Sequence, residues 1–215
     1  MKSKFLALSA ILALMAGAAN AQSKTTFGVR AGVNFQNLNG KDEAGDKLSN
    51  KIKTGFNVGV NAEIPLADEF YLQPGVLFST KGAKLENSDV KVNISYIEVP
   101  VNFLYKPEVG QGKLLLGVGP YIGIGVGGKL KGGGIDQDIK FKNSITPAEM
   151  ISAPYLKRID AGGNLLFGYE FSNKFSAQLN AQLGLVNIQP KVDGVSNDKS
   201  KTRNTGFGVS IGYRF

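Results

Sequence analysis

The sequence contains no cysteine, no histidine and no tryptophan. Without cysteine, the chain has neither disulfides nor a thiolate site for a metal ion. Without histidine, it lacks the commonest general base and the commonest nitrogen ligand of metals. We therefore expect no catalytic residue, no metal site and no cofactor, and the pattern favours a protein that is not an enzyme.

The chain also lacks a long apolar run after its N-terminal segment, so the sequence predicts no transmembrane helix. The N-terminal segment itself has the form of a secretory signal. Lys2 and Lys4 are basic, Phe5–Ala18 is apolar, and Ala19–Ala21 is a small-residue cleavage site. We expect residues 1–21 to be a cleavable signal peptide and residues 22–215 to be one exported domain.

Eight segments of this domain alternate apolar and polar residues with a period of two, which is typical of β-strands. The segments are Phe27–Phe35, Gly55–Ile64, Phe70–Ser79, Ile97–Tyr105, Leu114–Val126, Ile159–Phe171, Phe175–Leu185 and Asn204–Phe215. A closed β-barrel satisfies every backbone group in a bilayer without helices. The sequence therefore predicts an all-β fold, an eight-stranded antiparallel up-and-down transmembrane β-barrel.

The connections between these segments alternate between short and long, which is the arrangement of periplasmic turns and extracellular loops in outer-membrane barrels. The short connections are Pro65–Glu69, Lys106–Gly112 and Ser172–Lys174. The long connections are Gln36–Lys53, Thr80–Asn93, Gly127–Lys157 and Asn187–Arg203. We expect the protein in the cell outer membrane with both termini on the periplasmic side.

Alternation alone does not decide which face points inward, and a soluble lipocalin-like barrel would place its apolar face inside. The apolar face of the eight segments carries no charge, and a Lys or Arg facing mid-bilayer lipid costs about 2–4 kcal/mol. The other face is rich in Gly, Asn, Gln and Ser, which suits the narrow interior of an eight-stranded barrel. The sequence favours an apolar face towards lipid and a polar, side-chain-filled lumen.

Six charged residues fall on the polar face, namely Arg30, Glu63, Glu98, Asp160, Glu170 and Arg214. We expect them to form a structural charge network, with an ion path as the alternative. If strands one and two pair about their long connection, Arg30 lies near Asn61 and diagonal to Glu63, where opposite charges stabilise a sheet. Glu98 is expected close to Tyr121.

Aromatic residues cluster beside the short connections, as in the aromatic girdles of membrane barrels. They are Phe27, Phe70, Tyr71, Phe103, Tyr105, Tyr169, Phe171, Phe175, Tyr213 and Phe215. The last strand ends in the apolar stripe Val209, Ile211, Tyr213 and Phe215. Such a terminal stripe resembles the signal that outer-membrane assembly machinery captures by strand addition.

Short motifs give a family resemblance over the whole mature chain. They are the Ala21–Gln22 junction, Tyr71–Gly75, Ile97–Pro100 and Gly212–Phe215, together with the Gly-rich first strand. In these the chain resembles the small outer-membrane β-barrel proteins of Bacteroidota often called PorT-like. The resemblance implies the fold and the compartment, and it offers an accessory role in protein secretion as an alternative to a structural role or a narrow pore.

Three further features are interpreted as parts of the fold and not as catalytic or nucleotide-binding sites. Gly123–Gly128 matches G-x-G-x-x-G, but it continues a strand and does not open a helix, as a nucleotide site requires. Glu63 and Glu170 are expected at the periplasmic rim, Asp160 near the opposite end and Glu98 between them, without a clustered pair for acid–base catalysis. Thr146–Glu149 has the pattern of a capping box and predicts one short helix in the third long connection.

The four long connections, with the third extended to Arg158, carry a summed net charge of +7, whereas the rest of the mature chain is about −1. The basic excess therefore lies where the barrel meets the phosphorylated outer leaflet. We expect Lys157, Arg158, Lys201 and Arg203 to contact lipopolysaccharide or another anionic partner. Nucleic acid is not expected, because no compact basic patch is interleaved with aromatics.

Overall fold

The computed structural model describes residues 25–42, 44–86, 88–195 and 199–215. The predicted signal peptide, residues 1–21, lies outside the described residues. Among the described residues, no helix is long and apolar enough to cross a membrane.

Eight long strands form the barrel. They are β1 (Thr26–Lys41), β3 (Lys53–Ala67), β4 (Phe70–Leu85), β5 (Lys91–Tyr105), β7 (Gly112–Gly132), β12 (Ile159–Glu170), β13 (Phe175–Gly184) and β15 (Lys201–Arg214). The short elements are β2 (Asn50–Lys51), β6 (Glu108–Val109), β8 (Ile135–Asp138), β9 (Lys140–Phe141), β10 (Ser144–Ile145), α1 (Pro147–Met150), β11 (Tyr155–Leu156) and β14 (Lys191–Val192).

The eight long strands pair in antiparallel fashion with their neighbours along the chain, and β15 pairs with β1, which closes the sheet. Gly28 lies opposite Arg214 at one end of this closing pair, and Lys41 lies opposite Lys201 at the other. The predicted all-β fold, a closed eight-stranded antiparallel barrel, is confirmed. We call the end that holds the short connections and both barrel termini the turn end, and the opposite end the loop end.

The strands reach further towards the loop end than the sequence predicted. The predicted long connection Thr80–Asn93 is mostly strand, because β4 continues to Leu85 and β5 begins at Lys91. Strand β7 similarly continues to Gly132, and it contains the whole G-x-G-x-x-G segment. Strand pairing therefore continues into segments whose charge suggests loops.

The faces of the strands are as predicted. Phe27, Val29 and Val33 are 54%, 42% and 44% exposed on the outside of the barrel. Polar neighbours such as Asn34 and Gln36 are buried in the lumen. An apolar outer surface of this extent suits lipid and would be unstable in water, so the lipocalin-like alternative does not describe this chain.

The loop end carries small elements folded over the barrel mouth. Strand β9 pairs with β11 and strand β10 with β14, both in parallel. The predicted capping box is present at α1, where the Thr146 hydroxyl accepts from the Glu149 N–H and the Glu149 carboxylate accepts from the Thr146 N–H. The β7–β8 turn requires glycine, because Gly132, Gly133 and Gly134 all have positive φ values of 121°, 58° and 82°.

Candidate functional site

The lumen is the candidate site, because it gathers most of the buried polar residues of the barrel. Alternation along each strand directs these side chains inward, where a buried polar group needs a hydrogen-bond partner. The charged residues of the lumen form two ion clusters, one nearer each end.

The first cluster, which we call the Lys81 cluster, contains Lys81, Glu98 and Asp160. The Lys81 ammonium lies 2.6 Å from a Glu98 carboxylate oxygen and 3.2 Å from Asp160 Oδ2. The side chains of Lys81 and Asp160 are completely buried, and that of Glu98 is 3% exposed. A buried charge is tolerated only when it is paired, so one lysine here compensates carboxylates from two other strands.

Polar neighbours complete the Lys81 cluster. Asp160 Oδ2 accepts hydrogen bonds from the Tyr121 hydroxyl at 3.2 Å and from Asn204 Nδ2 at 3.0 Å. Glu98 accepts a hydrogen bond from Gln182 Nε2 at 3.1 Å. The Lys81 ammonium also lies 4.3 Å from the ring centroid of Tyr121, within cation–π range.

The second cluster, which we call the Glu63 cluster, lies at the turn end. The Lys106 ammonium contacts Glu63 Oε2 at 2.7 Å and Glu170 Oε2 at 3.0 Å. Arg214 Nη2 contacts the other Glu63 oxygen at 2.5 Å. Glu63 therefore has two cationic partners, whereas Glu170 has one and, at 15% side-chain exposure, is the carboxylate of the cluster nearer to solvent.

A relay of amides extends from the Glu63 cluster across the lumen. Gln73 donates to Glu63 Oε1 at 3.1 Å, Asn102 donates to Gln73 at 3.1 Å, and Asn164 donates to Asn102 at 2.8 Å. Every step joins side chains of different strands, so the relay ties β3, β4, β5 and β12 together. Such connected networks favour one arrangement of the lumen.

The predicted proximity of Arg30 to Glu63 is wrong. Arg30 lies opposite Gly59 and not opposite Asn61, and Glu63 lies opposite Thr26. Arg30 instead donates across the lumen to Asn180 Oδ1 at 2.9 Å. The register of β1 and β3 differs from the predicted one, and the Glu63 carboxylate is already bonded to Lys106 and Arg214.

Two lumen cations were missed from the sequence, Lys81 and Lys106. Both fall in predicted connections, because lysine is common in loops. With them, the described part of the lumen holds four cations and four carboxylates, so its formal charges balance. The sequence signal that could have found them is the excess of carboxylates over cations among the six predicted charges, which called for further lysines.

The expected absence of a clustered carboxylate pair is also wrong, although the predicted position of Glu63 and Glu170 at one end of the barrel is confirmed. Glu98 and Asp160 share the Lys81 ammonium, and Glu63 and Glu170 share that of Lys106. The strand register brings together side chains from β5 and β12, and from β3 and β12. The expected proximity of Glu98 to Tyr121 is confirmed, because the Lys81 ammonium contacts the Glu98 carboxylate and lies 4.3 Å from the Tyr121 ring centroid, although the register places Glu98 opposite Gly123.

An apolar plug fills the lumen above the Lys81 cluster at the loop end. It comprises Leu38, Ala83, Ile94, Tyr96, Ile139, Leu156 and Ile188, with Val92 and Phe141 packed against it. Three of its members, Ile139, Leu156 and Ile188, come from the long connections and not from barrel strands. The long connections therefore fold into the mouth of the barrel and bury their apolar residues there.

The turn end holds a smaller apolar group of Leu104, Leu115 and Leu166 with Tyr71. Tyr71 thus points inward and does not belong to the predicted aromatic girdle. The remaining lumen contains a cavity of about 20 Å³ lined by Arg30, Ser79, Glu98 and neighbouring residues. That volume is on the scale of one water molecule.

The residues predicted to contact anionic lipid lie at the loop end in two places. Lys201 and Arg203 are exposed on β15 beside β1. Arg158 precedes β12, with its guanidinium 5.0 Å from the Phe141 ring centroid, and Lys157 is its neighbour in sequence. The Lys157 backbone N–H donates to Ile188 O, and the Ile188 N–H donates to Thr202 O, so a single chain segment lies between the two pairs of residues.

The C-terminal stripe lies on the outside of β15. Val209, Ile211 and Phe215 are 49%, 66% and 64% exposed, so they face the lipid side. The Tyr213 ring lies 4.9 Å from that of Phe175 and 5.3 Å from that of Phe215. These rings belong to an aromatic group at the turn end.

Comparison with known proteins agrees with this architecture. Residues 20–189 match the family model of the outer membrane protein beta-barrel domain. No curated protein matches the chain.

Solved structures that resemble the chain include Ail, the attachment invasion locus protein of Yersinia pestis, in complex with the heparin analogue sucrose octasulfate. It is 15% identical, with 90% of this chain and 100% of that chain covered and a TM-score of 0.42. Neisserial surface protein A is 14% identical, with the same coverage and a TM-score of 0.47. The family match covers most of the sequence, and the chain belongs to the outer membrane protein beta-barrel family.

Proposed function

We propose that this outer-membrane protein has a structural or interaction role at the cell surface, with a lumen closed by side chains. The observation that supports the proposal is the packing of the lumen from end to end. The apolar plug, the Lys81 cluster and the Glu63 cluster succeed one another along the barrel. The short turns of such barrels face the periplasm, so the loop end is presented outside.

Planar-bilayer conductance of the purified, refolded protein tests the closed lumen against a narrow pore. We expect no stable openings, because an eight-stranded interior is filled by side chains whereas sixteen or more strands leave a channel. A sixteen-stranded porin in the same bilayer is the positive control. Stable nanosiemens-scale openings would overturn the proposal in favour of a pore.

We also propose that the protein is not an enzyme. The paired carboxylates are held by Lys81 and Lys106 inside the lumen, where a lipid or peptide substrate has no access. Incubation of the folded protein with outer-membrane lipids, followed by mass spectrometry, is expected to give no new product. A product that disappears with Glu63→Gln or Glu98→Gln would contradict this proposal.

The resemblance to PorT-like barrels of Bacteroidota supports a finer placement in that group, and with it a search for a secretion partner. No contact among the described residues favours a secretion role over an independent one. Crosslinking in native membranes distinguishes them, because a reproducible secretion-system partner would support the accessory role. N-terminal sequencing of the same preparation tests the predicted signal peptide, and we expect the mature chain to begin at Gln22.

We propose that Val209, Ile211, Tyr213 and Phe215 act as an assembly signal during insertion. Before the barrel closes, β15 has not yet paired with β1, so the edge of the last strand is available for strand addition by a partner. Phe215→Ala is expected to lower the folded fraction in cells while leaving refolding of the purified protein unchanged. Equal losses in both settings would indicate a purely structural role for Phe215.

A further inference from the structure

A basic groove of about 650 Å³ lies on the outside of the barrel at the loop end, where β13, β15 and β1 meet. Its cations are Lys41, Lys199, Lys201 and Arg203, and all four are exposed. Leu183 and Leu185 line the same groove and are 58% and 60% exposed. The groove therefore combines a concentrated positive charge with an apolar wall.

The positive charges of this groove lie close together and repel one another. Lys41 and Lys201 are direct cross-strand partners on the outer face, and Arg203 lies two residues further along the same face. Like charges directly opposite on a sheet are destabilising. Among the described residues, no carboxylate lies within 4.0 Å of these cations. Asp42, which follows Lys41, accepts hydrogen bonds from the Gly45 and Asp46 backbone N–H groups.

A second row of lysines lies at the rim of the loop end, and there carboxylates of the chain neutralise part of the charge. Lys91 lies opposite Lys84 on one side and opposite Lys131 on the other. Here the chain supplies its own anions, since Asp89 lies 3.1 Å from Lys84 and Asp136 lies 3.9 Å from Lys131. The groove cations lack such partners among the described residues, so they are available to an anion from outside the chain.

The surroundings of the groove identify the kind of anion. Below the cations on the same outer face, Phe35 and Phe207 stack at 5.2 Å, and Phe207 is 53% exposed at the start of the lipid-facing surface. A ligand in the groove therefore has a charged contact above and an apolar contact below. We propose that the groove binds the phosphorylated headgroup of an outer-leaflet lipid, with its acyl chains along Leu183, Leu185 and Phe207.

Each group then has a defined contact. Arg203 can bind phosphate oxygens in a bidentate manner, and the lysines add point charges whose mutual repulsion, as between Lys41 and Lys201, the phosphate relieves. Of the four residues predicted from sequence, Lys201 and Arg203 belong to this groove, while Lys157 and Arg158 do not line it. The inference needs only the outer-membrane location and not the closed lumen, so a conducting lumen would leave it intact.

The test compares two triple variants of the refolded mature protein in phosphatidylcholine vesicles with and without diphosphorylated lipid A. The groove variant is Lys41→Gln, Lys201→Gln and Arg203→Gln. The rim control is Lys84→Gln, Lys91→Gln and Lys131→Gln, which removes the same number of charges from the other lysine row. Thermal unfolding is followed by circular dichroism, and a third set of vesicles without lipid A receives soluble inositol hexaphosphate.

We expect lipid A to raise the unfolding temperature of the wild type and of the rim control, and the groove variant to lose most of this rise. Equal rises in both variants, or equal losses, would overturn the proposal. A rise with inositol hexaphosphate as large as that with lipid A would overturn the lipid assignment in favour of a soluble polyanion.

The single substitution Lys201→Gln keeps the proposal testable if the triple variant does not refold. Without lipid A, we expect it to be at least as stable as the wild type, because one repelling charge has gone. With lipid A, we expect it to gain less than the wild type does. A Lys201→Gln protein that is less stable without lipid A and gains as much with it would contradict the proposal.

Discussion

Basic residues inside the barrel and basic residues at its loop-end groove differ in how their charge is balanced. Lys81 and Lys106 are buried, and each contacts two carboxylates of the chain. Lys41 and Lys201 are exposed, face one another, and have no carboxylate partner among the described residues. The formal charges of the interior balance, whereas those of the groove do not balance among the described residues.

The largest expected effect comes from removing the cation of the Lys81 cluster. Lys81→Met leaves Glu98 and Asp160 buried without a cationic partner, which typically costs about 3–5 kcal/mol. Lys84→Met on the same strand is the matched control, since an exposed pair contributes about 0–1 kcal/mol. Urea unfolding in detergent micelles measures both, and similar losses would show that the interior and the rim do not differ.

A rescue variant separates unpaired charge from lost packing. Lys81→Met combined with Glu98→Gln and Asp160→Asn removes all three charges, and we expect it to recover much of the stability lost in Lys81→Met. A triple variant as unstable as the single one would attribute the loss to packing of the lysine side chain against Tyr121.

Removal of Lys106 is expected to cost less than removal of Lys81. Glu63 keeps its contact with Arg214, and Glu170 is partly exposed to solvent. Because Lys106 and Arg214 share Glu63, the double variant Lys106→Met with Arg214→Met should be destabilised by more than the sum of the single variants. Additive losses in urea unfolding would indicate that the two contacts are independent.

A carboxylate introduced into the groove would make the rim resemble the interior. Lys201→Glu places an acid opposite Lys41, and a favourable cross-strand pair contributes about 0.2–1 kcal/mol. We expect a small gain in stability in phosphatidylcholine vesicles and the loss of any response to lipid A. Thermal unfolding with and without lipid A measures both, and an unchanged lipid response would count against the groove.

The smallest expected effect concerns the exposed ion pair between Lys142 and Glu149 in the third long connection. The ion pair with Lys142, with help from the Thr146 backbone N–H, lowers the pKa of the Glu149 carboxyl below its usual value. The contribution of this pair is therefore present above the usual glutamate pKa of about 4.3 and is lost as pH falls through the lowered value. Proteolysis of this connection should rise on acidification in the wild type, and a Glu149→Gln protein should show no such pH dependence.

The strand faces could be predicted because lipid and lumen select opposite residue types at alternate positions. Val29, Phe56 and Leu179 face out, while Asn34 and Asn102 face in, as their sequence period predicts. The predicted end of the third segment at Ser79 is wrong, because strand β4 continues through Lys81 to Leu85. A charged residue that follows an alternating segment indicates a loop when only the sequence pattern is considered. The Lys81 partners Glu98 and Asp160 lie on other strands, so a single-strand pattern gives no sign of them.

The plug and the groove depend on contacts between distant segments. Ile139 and Ile188 lie in different long connections, and no local period brings them together with Leu38. The groove likewise depends on the register of β1 and β15, which places Lys41 opposite Lys201 and cannot be read from either strand alone. Pro74, Pro100 and Pro120 lie within strands without a register shift, while register shifts occur between Pro65 and Ala67 and between Ser95 and Tyr96.

The closed lumen can be tested most directly by thiol labelling, because the chain has no native cysteine. Ser79→Cys and Ser210→Cys place single thiols in the lumen, where both serines are 2% exposed. Ser172→Cys at the turn end and Ser152→Cys at the loop end serve as controls that are more accessible to solvent. With a water-soluble thiol reagent, we expect rapid labelling of the controls and labelling of the two lumen thiols only after unfolding. Rapid labelling of the two lumen thiols in the folded protein would contradict a lumen closed by side chains.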